Sequence, residues 1–278
     1  MRHFSMIILL MAAFCVPEIA NGQGLIFRLP EDGKGVEYEG TVTYENTTDD
    51  ATDDDADGIA KMTMERRLTI KSVGKVEEEF NGTVQPCRWI EIVIQTGRRN
   101  TDATIAVGKV GYRAYRVLVP ESKVLDTTID EDTIPNIVLP IVRGYRRGDS
   151  SSNTVPLKAK ALAFYPTICQ LTHYPSFNVV AEVEEPDTAI QDQSFPSRHL
   201  TARFEMQRPE SFSINEAHLW VSDQSPFGLA RWEVTVTVKK KESTAPVADF
   251  IDASTVTTEM KISRLLENQL TEFPKDDN

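Results

Sequence analysis

Polar and apolar residues alternate with a period of two along most of this chain, and the pattern is cleanest over residues 212–239. There Ala230, Trp232, Val234, Val236 and Val238 share one side of an extended backbone, and Leu229, Arg231, Glu233, Thr235 and Thr237 share the other. A period of two marks a β-strand with one face buried. The stretch before it, 212–221, is also strand-like, and the connection Ser222-Asp223-Gln224-Ser225-Pro226-Phe227-Gly228 supplies Asp, Ser, Pro and Gly. Each of these favours a turn for its own backbone reason, so the pair reads as a hairpin.

The same alternation recurs upstream. Val36, Tyr38, Gly40, Val42 and Tyr44 face away from Glu37, Glu39, Thr41, Thr43 and Glu45. Met62, Met64, Arg66, Leu68 and Ile70 alternate with Lys61, Thr63, Glu65, Arg67, Thr69 and Lys71, up to a break at Gly74. Asn81-Gly82 predicts a tight hairpin turn into a strand over 87–94. Further strands are expected over 112–119, 177–184, 199–206 and 255–265, and residues 25–45 read as strand, turn, strand around Pro30-Glu31-Asp32-Gly33. Gly108 and Gly111 are expected to kink or turn the chain. Gly108-Lys109-Val110-Gly111 lacks the glycine spacing and following helix of a phosphate loop.

Helical signals are few. Residues 155–169 contain the good helix formers of 158–163, with Pro166 ending any helix early. Residues 136–142 read as a short helix or an edge segment, because Pro140 is excluded from a central strand. The expected fold class is therefore mostly β (β-rich α+β), a large curved antiparallel sheet or half-barrel with one or two short helices. A two-sheet β-sandwich is the alternative.

Arg2 and His3 precede an apolar run over 4–16, followed by Pro17-Glu18-Ile19 and the small-residue site Ala20-Asn21-Gly22. This pattern predicts a secretory signal peptide over 1–22, cleaved after Gly22, and hence a periplasmic or extracellular protein. The run is short of the roughly 20 apolar residues that a spanning helix needs, and no later segment is apolar enough to cross a membrane. A lipoprotein reading through Cys15 is disfavoured, because Phe14 stands where such signals have a small residue. Residues 23–278 are then one β-rich domain, with a weak internal boundary near 149–154, at Asp149-Ser150-Ser151-Ser152-Asn153.

The whole chain carries a net charge of −12, and because 1–22 holds one Arg and one Glu, the remainder carries −12 as well. Such an acidic surface repels nucleic acid, which is not expected as a partner. Residues 46–58, NTTDDATDDDADG, lack the side chains of a packed element and read as an acidic loop. Asp53, Asp55 and Asp57, followed by Gly58, match the first half of a calcium loop. The bidentate Glu of the second half is replaced by Met64, so calcium is the lesser reading and no other cofactor is expected. After export two cysteines are left, Cys87 and Cys169. They are either one disulfide, closing a loop of about 80 residues for roughly 4–5 kcal/mol, or two buried thiols. Cys169 and His173 are near one another, yet two ligands do not close a zinc site. Arg143, Arg146 and Arg147 around Tyr145 read as a basic turn offsetting nearby acids, with an anion site as the other reading. No nucleophile elbow or HExxH pair occurs. Asn46-Thr47-Thr48 and Asn81-Gly82-Thr83 are glycosylation sequons.

Three phrases carry a resemblance: Phe27-Arg28-Leu29-Pro30-Glu31-Asp32-Gly33, Cys87-Arg88-Trp89-Ile90-Glu91, and Leu219-Trp220-Val221-Ser222 with Pro226-Phe227-Gly228. They resemble a group of exported bacterial β-rich proteins. The tryptophan strand with its small-residue turn also resembles the LolA-like lipoprotein-carrier superfamily. That resemblance implies a curved antiparallel sheet around an apolar concavity that holds acyl chains, with a lipid or envelope protein as partner and no catalytic residue. The function expected is a non-catalytic envelope protein binding an apolar ligand or protein partner in a sheet concavity. A structural or interaction protein without small ligand, and a hydrolase of unknown substrate, are the alternatives. Intact mass of the exported protein should show a chain beginning at Gln23 without an acyl group; a diacylglycerol increment on Cys15 would instead put it on a membrane.

Overall fold

Asn81 and Gly82 both take positive φ, 53° and 79°, the backbone of the tight turn that their sequence predicts. They join β2 (Ile59–Phe80) to β3 (Thr83–Arg99), paired from Phe80 and Thr83 down to Glu65 and Gly97. The computed structural model describes residues 25–47, 59–102, 104–123, 128–129, 135–136, 138–148, 153–184 and 196–273. The expected signal peptide, Cys15, Asp53, Asp55 and Asp57 lie outside the described residues, as does most of the boundary near 149–154.

Around that hairpin stand β1 (Gly35–Thr47) and β4 (Ile105–Pro120), then the brief β5 (Thr128–Ile129), β6 (Pro135–Asn136) and β7 (Leu139–Pro140). Next come β8 (Arg143–Arg147), β9 (Val155–Pro156), β10 (Ala161–Leu162), β11 (Asn178–Glu184) and β12 (Ser197–Gln207). The chain closes with β13 (Ser211–Val221), β14 (Leu229–Lys240) and β15 (Ile251–Leu266). Eleven of these strands form one sheet in the order β11-β12-β13-β14-β15-β1-β2-β3-β4-β8-β9, with β11 and β9 as free edges. Neighbours in it are antiparallel. The fold is thus a single large antiparallel sheet that does not close, rather than a sandwich.

That order dictates where the core lies. Strands β1 to β4, β8 and β9 step outward to one edge, and the chain re-enters at the opposite edge, β11. Ten inter-strand steps of about 4.8 Å separate the two edges, so residues 157–177 must run across a face. Phe164, Tyr165, Ile168, Cys169, Leu171 and Tyr174 of this crossing segment are buried in one cluster with inward side chains from β12 through β4. Leu139, Ile141 and the N-terminal Leu25, Ile26 and Phe27 join that cluster. Two places two residues apart in the crossing segment reach opposite halves of the sheet. Ile168 meets Arg66 on β2, and Gln170 meets Asn215 on β13. The sheet curves about its own cover.

The expected hairpin anchors this core. Trp232 is buried, and the Tyr38 ring meets it edge-on with centroids 4.9 Å apart; truncating a ring so placed costs on the order of 3–5 kcal/mol. The Tyr38 hydroxyl and the Ser225 hydroxyl both donate to the Leu229 carbonyl, at 2.8 Å each. Gly228 ends the turn with φ +89°, and a Cβ there would lie 2.7 Å from the Cβ of Phe27. The close approach lets Phe27 N–H donate to the Phe227 carbonyl at 2.8 Å.

Four expectations are corrected. Residues 25–34 form no strand: the turn at Pro30–Gly33 is there, but Leu25, Ile26 and Phe27 are buried under the sheet rather than paired in it. The helix expected over 155–169 is a single π-type turn, Tyr165–Cys169, closed by Gln170 at φ 59°. The helix formers at 158–161 are exposed, so propensity has no apolar face to bury, and a short helix without tertiary packing is marginal. Residues 143–147 are the strand β8 rather than a turn. Lastly, Cys87 and Cys169 are not bridged; both thiols are free and buried. Alternation on β3 points Cys87 to the outer face beside Trp89 and Leu118, whereas Cys169 lies in the inner core. Burial raises both thiol pKa values, and Glu78, Glu77 and Glu121 add to the effect at Cys87. Neither is a ready nucleophile. Alkylation of unreduced protein should therefore be slow when native and should add one group to each of Cys87 and Cys169 when denatured; protection of both after denaturation would restore the disulfide.

Candidate anion-binding site

The inward side of β2 carries Met62, Met64, Arg66, Leu68 and Ile70, and all but Arg66 suit an apolar core. Arg66 is nonetheless only 5% exposed. Its Nε donates to Thr96 Oγ1 at 3.1 Å, and its Nη1 donates to the backbone carbonyl of Ile168 in the crossing segment. Among the described residues no carboxylate pairs with it. Burial is the largest influence on its pKa and lowers it, and the charge of Arg113 acts the same way, while Tyr44 and Cys169 oppose them. A desolvated cation without a counter-charge is costly, and it is relieved when an anion arrives.

Arg66 lines a cavity of about 490 Å³ on the inner face, where the crossing segment leaves β2, β3 and β4 uncovered. Arg98 and Arg113 also line it, both exposed, with Tyr44, Thr96 and Thr167 as hydroxyl-bearing neighbours and Met64, Ile94 and Ile168 as apolar ones. No Asp or Glu is among its described lining residues. Three guanidinium groups thus converge in a chain whose net charge is −12.

The β3–β4 ladder explains the opening. Gln95 pairs with Tyr112 and Gly97 with Val107, so Thr96 alone stands opposite the four residues 108–111. The bulge aims both flanking segments at the cavity. It also brings Gly111 so close that a Cβ would lie 2.1 Å from the Thr96 carbonyl oxygen. Gly108 and Gly111 turn the chain here as expected, and strand follows them rather than the helix of a phosphate loop. Arg98 lies opposite Ala106 and Arg113 opposite Ile94, which brings together two residues fifteen positions apart.

A second depression, about 290 Å³, lies on the outer face between Glu39, Glu259, Arg231 and Lys261. Its charges balance within the chain, which leaves no excess for a ligand. Elsewhere on that face Arg143 pairs with Glu78 at 3.2 Å and sits 5.5 Å from the Trp89 ring, so of the Arg143, Arg146 and Arg147 cluster Arg143 offsets a nearby acid, while Arg147 lies over the Phe273 ring. The buried Glu91 accepts from the Thr271 hydroxyl and from Glu272 N–H at 3.1 Å, while Lys71 pairs with the Glu272 carboxylate. These bonds strap the described C-terminal residues to the sheet. His199 and His218 are within 3.1 Å of each other beside Trp220, also on the outer face. His173, whose pKa burial lowers, forms no metal cluster with Cys169 among the described residues.

Sequence reasoning placed Arg66 on the correct face and gave it no role; one cation within an otherwise apolar stripe was the available signal. Replacing Arg66 by Met separates support from function. The loss of its hydrogen bonds to Thr96 and Ile168 is set against the removal of a buried charge without a carboxylate partner among the described residues, so denaturant melts should move by no more than about 1 kcal/mol. Asn215→Ala should cost more, about 1–3 kcal/mol, because the Gln170 carbonyl and the Tyr174 hydroxyl each lose a partner. No protein-family model matches the chain, and no curated protein gives a significant match.

Proposed function

We propose that the protein is an exported, non-catalytic binding protein that takes an amphiphilic ligand with an anionic head into the cavity on the inner face of its sheet. The observation that carries this reading is Arg66, a buried arginine without a carboxylate partner among the described residues, at the wall of an open cavity whose described lining residues include no acid. Ligand sites are concave and largely apolar, with a few placed polar groups that fix orientation. Met64, Ile94 and Ile168 supply the apolar part, and the arginines supply the polar part. The open antiparallel sheet around an apolar core agrees with the resemblance to LolA-like half-barrels. Here the sheet's inner face is filled by residues 157–177 except at this end, so the ligand space is smaller than a bare concavity. The catalytic alternative gains no support from His199 and His218, which face away from the cavity.

Isothermal titration with one dodecyl chain on different heads tests the proposal below micelle-forming concentrations. Anionic heads should bind, neutral maltoside and cationic trimethylammonium heads should not, and Arg66→Met should weaken the anionic ligands by at least about tenfold, as loss of a charge-assisted hydrogen bond predicts. Equal binding of all heads, or no binding of any, would overturn it.

A further inference from the structure

The number and disposition of the arginines narrow the ligand class, on the assumption that the cavity does bind an anionic amphiphile. We infer that the head it takes is a phosphate monoester rather than a singly charged group. Arg66, Arg98 and Arg113 line one cavity with no carboxylate among its described lining residues, so three positive charges face it without compensation from those residues. Arg66 is held with its Nε on Thr96, its Nη1 on the Ile168 carbonyl and the Tyr44 hydroxyl beside it, neutral partners that leave its charge uncompensated among the described residues. Arg98 and Arg113 are exposed at the cavity and have no ion-pair partner among the described residues, so their forks are free to turn toward a ligand. A carboxylate offers two oxygens and one charge. A phosphate monoester offers three terminal oxygens and about −1.5 to −2 charge near neutral pH, and arginine forks match phosphate geometry in bidentate fashion. The dianion therefore satisfies more of these donors and more of the excess charge than a monoanion does. Met64, Ile94 and Ile168 beside them specify that the ester carries an apolar chain.

Dodecanesulfonate and monododecyl phosphate share chain and tetrahedral head but differ in charge, and the sulfonate does not titrate. The described lining cations are arginines, which keep their charge throughout the range, and no His, Asp or Glu is among the described lining residues. A pH effect confined to the phosphate is thus the ligand's own, since its second ionisation falls near pH 6. At pH 8 the phosphate should bind tighter by about tenfold or more, as an added charge beside desolvated guanidinium groups predicts. At pH 5.5 the gap should shrink to about threefold or less, as the dianion becomes a monoanion. Arg98→Gln with Arg113→Gln, both at exposed positions, should close the gap at pH 8 while leaving the melting temperature in place. Equal binding of the two ligands at pH 8, or a gap unchanged at pH 5.5, overturns the phosphate assignment even though anionic amphiphiles still bind. Inorganic phosphate binding as tightly as the dodecyl ester would overturn the chain-bearing part, making the site one for free phosphate. If no anionic amphiphile binds at any pH, the underlying reading fails as well.

Discussion

An open sheet with one apolar face has to be covered, and here the chain covers itself with a segment that is neither helix nor strand. Its topology forces this: the chain leaves at β9 and returns at β11, on opposite edges. A helix would satisfy its own backbone, but an irregular crossing segment leaves N–H and C=O groups to be paired one by one. The sheet provides the partners. Asn215 donates to the Gln170 carbonyl, the Ile141 N–H donates to the Lys160 carbonyl at 2.8 Å, and Arg66 donates to the Ile168 carbonyl. Burial of Phe164, Tyr165, Ile168 and Leu171 then supplies the drive that holds the cover in place.

Arg66 belongs to this pairing scheme and yet exceeds what it needs. A neutral donor such as Asn215 suffices at the Gln170 carbonyl, so the positive charge at the equivalent bond to Ile168 is not explained by backbone satisfaction. It adds desolvation cost without a compensating carboxylate. Elsewhere the same protein pairs its buried charges: Glu91 has Thr271, Glu272 N–H and Arg116 within reach, and Arg88 has Glu121 at 2.6 Å. The contrast between these closed sets and the open one at the cavity is what distinguishes a binding feature from a structural one.

Legibility in the sequence followed the range of the interactions concerned. Strands with one wet face announced themselves, because alternation is a local property: Ala230-Trp232-Val234 and Val36-Tyr38 needed only their own neighbours. The Asn81-Gly82 turn was equally local. The helix expected around residues 158–163 failed because propensity speaks for isolated segments, whereas this one is bound to cross a sheet. The disulfide could not be decided, since nothing in the order of residues says that Cys87 and Cys169 fall on opposite faces. The cavity was illegible for a further reason. Arg66 and Arg113 fall on expected strands as ordinary cations and Arg98 on none, and only the pairing of β2, β3 and β4 makes them neighbours.

The register irregularity in β4 is the local event from which the cavity arises. Had residues 108–111 continued the ladder, the β3–β4 surface would be flat, and side chains there would lie against the crossing segment as those of Ile90 and Val117 do. Four residues against Thr96 alone release that surface, and the glycines at 97, 108 and 111 leave no side chains to refill it. The apolar walls then come from residues already inward by alternation, Met64 and Ile94, while the cations come from Arg98 near the end of β3 and Arg113 in the middle of β4. Bulges cost ladder hydrogen bonds and persist where they re-aim side chains. In this fold the bulge gives an acidic protein a cationic concavity, lined by Arg66, Arg98 and Arg113, at the edge of the crossing segment.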